Sequence, residues 1–82
     1  MTLVRLPKQL GDALRRYRTL AGLTQSQLAA KAGLRQATIS QIEGGSSATK
    51  FGTICTVLAT LDLELTIGPR SKSSAKDIED IF

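Results

Sequence analysis

Residues 25–44, QSQLAAKAGLRQATISQIEG, constrain the fold more than any other part of this 82-residue chain. Two short helical patterns meet at Gly33. A turn there needs a residue that tolerates a positive φ, and glycine does so without steric cost. Ala29 is small where the two helices cross. Leu28, Ala32, Leu34, Ile39 and Ile42 supply the apolar contacts that fix the crossing angle. A small residue, a glycine and five apolar positions in this order predict a helix-turn-helix.

The flanking sequence extends that unit. Pro7 suits a first helical position, where its missing N–H costs nothing. Leu10, Ala13, Leu14, Tyr17 and Ala21 follow at helical spacing and Gly22 reads as the stop, which predicts a first helix over 8–21. Thr24 with Gln27 forms a capping-box pattern for a second helix over 25–32. A third helix is expected from just after Leu34 to Glu43, closed by Gly44 and Gly45. Thr49 is the expected cap of a fourth, with an apolar stripe of Phe51, Ile54, Cys55, Leu58 and Leu61. Cys55 is therefore expected to be a buried structural cysteine. The period then changes. Leu63, Leu65 and Ile67 alternate with Glu64 and Thr66, a strand signal that ends at Gly68 and Pro69. The first six residues, with Val4 and Leu6 around Arg5, read as an arm or short strand.

The expected fold is thus mainly α, four helices plus a C-terminal strand. Residues 1–67 form one domain, and residues 68–82 a flexible tail in which Ile78, Ile81 and Phe82, spaced by acids, are a candidate docking segment. A lone strand in a helical chain leaves backbone groups unpaired and apolar side chains uncovered. The same strand of a second copy, carrying Leu63, Leu65 and Ile67, is the simplest complement, so a homodimer is expected.

Charge points to the partner. Residues 1–50 hold eight Lys/Arg against Asp12 and Glu43, a net +6; residues 51–82 hold three against five acids, a net −2. The basic half coincides with the helix-turn-helix, which suggests a polyanion. The chain has no His and one Cys, so an ordinary zinc cluster, an internal disulfide and most acid–base catalysis lose their usual residues. We expect no metal, no cofactor and no enzyme. No apolar run approaches a membrane span, and no signal-peptide core follows Met1, so a cytoplasmic, nucleoid-associated protein is expected.

The run from Leu10 to Arg18, with Gly22, Gln25, Leu28, Gly33 and the TISQIEG of residues 38–44, resembles the Cro/CI (XRE) helix-turn-helix family over residues 10–62. The resemblance implies a lambda-repressor-like bundle whose third helix enters the major groove of a palindromic operator in double-stranded DNA. Gln36, Ala37, Thr38, Ser40 and Gln41 are the candidate base readers: Gln can bond adenine N6 and N7, and the Ala or Thr methyl can touch thymine. Gln25, Arg35, Ser47 and Lys50 are the candidate phosphate contacts. In the family the positions of Arg18 and Glu43 commonly pair, which implies an orienting ion pair here.

Beyond Thr49 the chain is similar to HipB-like antitoxins, whose fourth helix runs directly into such a strand. That resemblance implies a dimeric antitoxin that binds a HipA-like serine/threonine kinase toxin and represses their shared operon. A stand-alone repressor, of phage or restriction-modification type, is the alternative of the same class. A protein-interaction module with a silent helix-turn-helix is the alternative of another class.

Overall fold

A computed structural model describes residues 2–70. The four helices are α1 (Pro7–Leu20), α2 (Gln25–Ala32), α3 (Gln36–Glu43) and α4 (Phe51–Thr60). α1 starts at Pro7, and the Gln9 Oε1 accepts the Leu6 N–H at 3.0 Å, closing the first turn. α2 starts as its sequence asks: Thr24 Oγ1 accepts the Gln27 N–H at 3.0 Å and Gln27 Oε1 accepts the Thr24 N–H at 2.8 Å.

All four helices end in the same way. A residue just past the helix cap reaches back with a six-to-one bond: Leu23 to Arg18, Leu34 to Ala29, Ser46 to Gln41 and Leu63 to Leu58. The motif needs one left-handed residue. Gly22, Gly33 and Gly45 fill it in three cases, and Asp62, at φ 58°, in the fourth.

The core is small and apolar. It consists of Leu14, Leu28, Ala29, Ile39, Ile42, Val57 and Leu58, with Leu10, Leu23, Leu34, Ile54, Leu61 and Leu63 packed around it. Leu28 has no exposed surface. A side chain buried to that degree contributes about 1.5–3 kcal/mol. α3 packs on both α1 and α2, and α2 packs on α4. The helix-turn-helix is therefore held from two sides.

Three expectations change. Cys55 is exposed, as is Phe51 at 65 %. The inward stripe of α4 is Ile54, Val57, Leu58 and Leu61 instead, since 54, 57, 58 and 61 share one face at a period of about 3.6 residues. The cap of α4 is Lys50, not Thr49, and its side chain makes no capping bond. Residues 63–67 form no strand: the described residues contain no ladder, because an alternating segment needs a second strand and a single chain offers none there. The expected flexible tail beyond residue 70, with its candidate docking segment, lies outside the described residues.

Candidate nucleic-acid interface

The period of α3 sorts its residues into two faces. Ile39 and Ile42 point inward at 1 % and 3 % exposure. Gln36, Ala37, Ser40 and Gln41 are exposed, and all four are short and uncharged. Thr38 is half-buried, so it contributes less to that face than the sequence suggests. Arg35 caps α3 without a side-chain capping bond and is exposed, which leaves its guanidinium on the surface at the helix N-terminus. Ser47 and Lys50, in the connection from α3 to α4, are exposed as well.

Three devices fix this helix. The first is Gly33, at φ 70°, which lets the chain turn from α2 into α3 while Leu34 returns its N–H to Ala29 O at 2.9 Å. The second is Gly11, buried inside α1. A Cβ there would collide with the backbone carbonyl oxygen of Ile42 and lie 2.7 Å from that of Glu43. The first helix thus meets the end of α3 backbone against backbone. Gly45, at φ 89°, sits against Lys8 in a similar way.

The third device is a charge network. Arg18 Nε donates to Glu43 Oε2 at 2.6 Å, and Arg18 Nη2 donates to Glu43 Oε1 at 3.0 Å. Arg18 Nη1 donates to the Leu23 carbonyl at 2.7 Å, and Gln25 Nε2 donates to Glu43 Oε1 at 3.1 Å. The side chains of Arg18 and Glu43 are 12 % and 4 % exposed. Burying a carboxylate is costly unless it is paired and hydrogen-bonded. Here both oxygens are used, and among the described residues no buried side-chain N or O atom lacks a partner. The Glu43 hydrogen bond raises the Arg18 pKa above its ordinary value; burial acts in the opposite direction, and the charge of Glu43 adds to the rise. An arginine is already charged at any working pH, so this rise leaves the protonation of Arg18 unchanged.

The network links what the sequence treats separately. Gln25, expected at the phosphates, is half-buried and tied by its amide to the last residue of α3. One N–H of that amide is committed to Glu43. Sequence reasoning missed Gly11, and it read Gly45 as a helix stop without its close approach to Lys8. The signal for Gly11 is a glycine interrupting the apolar pattern of the first helix immediately after Leu10, which calls for a packing reason. The described residues contain no cluster of His, Cys, Asp or Glu able to hold a metal ion, and no helix long and apolar enough to cross a membrane.

Comparison with known proteins gives the arrangement a context. The HTH_3 helix-turn-helix family matches residues 14–67. Antitoxin HipB of Escherichia coli strain K12 is 37 % identical over 73 residues, which span 89 % of this chain and 83 % of that protein. A chain of the solved HipA-HipB-O2-O3 complex superposes with a TM-score of 0.79 at 35 % identity, covering 87 % of this chain and 100 % of that one. The restriction-modification controller protein C.AhdI from Aeromonas hydrophila superposes with a TM-score of 0.66 at 31 % identity, covering 71 % and 88 %.

Proposed function

The chain belongs to the helix-turn-helix family, alongside antitoxin HipB, and from that premise we propose that it is a dimeric, DNA-binding antitoxin that represses its own operon and restrains a HipA-like serine/threonine kinase. The observation that carries the DNA reading is the exposed row Gln36, Ala37, Ser40 and Gln41 on a helix whose far end is locked by a buried ion pair. Uncharged short side chains approach base edges closely, and a rigid helix keeps them in register with the groove. Arg35, Ser47 and Lys50 surround that row in sequence and would hold phosphates. Gln25 would donate the second N–H of its amide to a phosphate while Glu43 fixes its orientation.

The HipB reading is favoured over a stand-alone controller by where the likeness extends. It takes in 87 % of the chain for the HipB structure and 71 % for the controller. A dimer whose two recognition helices lie about 34 Å apart would match half-sites one turn apart. In this reading the chain is a binding protein and not an enzyme.

The test is a double substitution, Gln36→Ala with Gln41→Ala. Operator affinity should fall while binding to the kinase persists. Retained operator binding, measured by fluorescence anisotropy at fixed salt, would overturn the assignment of base-reading residues. Loss of kinase binding alone would point to a toxin surface on α3.

A further inference from the structure

A groove of about 660 Å³ opens between the two ends of the described chain. Its floor is apolar, with Leu10, Leu14 and Tyr17 from α1 and Leu58 from α4. One wall is residues 64–66, which lie beyond α4; the other is residues 2–5, which precede α1. Both walls are irregular segments. Among the described residues, no backbone hydrogen bond involves residues 2–4 or residues 64–68. The groove is therefore flanked on both sides by backbone with open donors and acceptors, and such an edge is a template for another strand.

The same chain carries what would fill it. Leu65 is 47 % exposed and Ile67 is 97 % exposed. Because the apolar projection and the apolar groove adjoin each other, one two-fold axis beside residues 63–67 can let each copy fill the other. The charges agree. The lining of the groove holds Arg5 and Arg70 against one acid, Glu64, which is also the one acid of the incoming segment 63–67. Leu3 and Val4, exposed at 61 % and 40 %, stand where they would cover the incoming segment from the side away from residues 64–66.

We propose that residues 2–5 are the second wall of a seat for the partner's segment 63–67. Each copy's residues 63–67 lie between the partner's residues 63–67 and the partner's residues 2–5. The result is a four-segment sheet in which the N-terminal residues of each chain form an outer strand. This inference rests on the proposed dimer through residues 63–67 and adds to it a role for the N-terminal segment and a strand order.

The experiment reads association of the full chain without DNA or kinase. In a Cys55→Ala background, Val4→Cys combined with Leu65→Cys should give a disulfide-linked dimer on mild oxidation. A product that remains a monomer, bridged internally or not, would overturn the strand order. Val4→Asp places a charge in the seat at a position half-open in the single chain, so helix content should stay unchanged. Its dimer dissociation constant, from sedimentation equilibrium, should rise at least about tenfold, and an unchanged constant overturns the seat. Thr66→Pro separates this from the underlying dimer. If it abolishes association while Val4→Asp does not, only the N-terminal wall is wrong. If neither changes association, the dimer does not run through residues 63–67 and both readings fall.

Discussion

The ends of α2 and α4 are built on the same bonds and differ in the residue at the left-handed position. Leu34 and Gly33 return their N–H groups to Ala29 and Ala30 at 2.9 and 3.4 Å; Leu63 and Asp62 return theirs to Leu58 and Ala59 at 2.8 and 3.1 Å. Both ends need a left-handed residue, at φ 70° for Gly33 and 58° for Asp62. Glycine adopts that conformation freely, whereas a residue with a Cβ bears about 1–2 kcal/mol of strain. The chain beyond each turn differs as well. After Gly33 it enters α3, which is gripped by α1, α2 and a buried ion pair. After Asp62 and Leu63 it enters a segment without backbone partners among the described residues. The unstrained turn is used where a helix has to be held at one angle. The strained one stands where the structure is open and, in the proposed dimer, awaits a second copy.

The sharpest way to break this contrast is to loosen the gripped side. Glu43→Gln keeps the shape and removes the charge, which strands Arg18 at 12 % exposure. Breaking a buried pair on one side costs about 3–5 kcal/mol. We expect a loss of that size in urea denaturation, together with weaker operator binding, because the end of α3 is what Arg18 and Gln25 hold. Unchanged stability would mean that α3 is positioned by packing alone. Gly11→Ala comes next. Its methyl group has no room against the carbonyls of Ile42 and Glu43, both of them backbone atoms that yield only if a helix moves. Overpacking of this kind costs about 1–3 kcal/mol, and here it should also tilt α3 against its groove. Operator affinity should therefore fall more than nonspecific DNA affinity does.

The DNA face itself should respond without any change in stability. Gln36→Ala should cost about 1–3 kcal/mol of operator binding if Gln36 reads a base, and relax specificity at one position of each half-site. Lys50→Ala should weaken all sequences alike and reduce the salt slope by about one unit per half-site. If both substitutions acted identically, α3 would be recognising shape and not sequence.

Most of the gripped side is legible in the sequence, and the open side is not, for physical reasons. Pro7, Thr24, Gly22 and Gly33 are local signals whose meaning depends on the neighbouring few residues, and the helix boundaries they predict agree with the structure to within a residue or so. The Arg18–Glu43 pair joins residues 25 positions apart, so no local rule reveals it and only the family resemblance points to it. Gly11 betrays itself only as an interruption in a helical pattern. α4 defeats pattern reading because FGTICTVLAT carries no charge at all. With three threonines as its only polar residues, a stripe counted from Phe51 puts Cys55 inside, whereas the packed face begins at Ile54. Residues 63–67 alternate as a strand does, yet alternation describes the faces of a sheet, and the sheet needs a partner that one chain does not contain.

The smallest effect tests the pair of turns directly. Asp62→Gly should stabilise the chain by about 0.5–1 kcal/mol, since it removes left-handed strain, less the extra freedom glycine gains in the unfolded state. It also removes a negative charge next to the C-terminal end of α4, where the helix dipole disfavours it. For a domain of this size that corresponds to a rise of several degrees in Tm, about 4–8 °C per kcal/mol. The reciprocal change, Gly33→Asp, imposes the same strain at the same place in the same motif, so its cost in stability should be of similar size and opposite sign. The two should part on DNA. Gly33→Asp alters the link into α3 and should weaken operator binding beyond its effect on stability, while Asp62→Gly, distant in sequence from α3, should leave operator binding by the assembled dimer unchanged. Equal effects of the two on operator affinity would mean that the turn after α2 is only a helix stop and does not set the angle of the recognition helix.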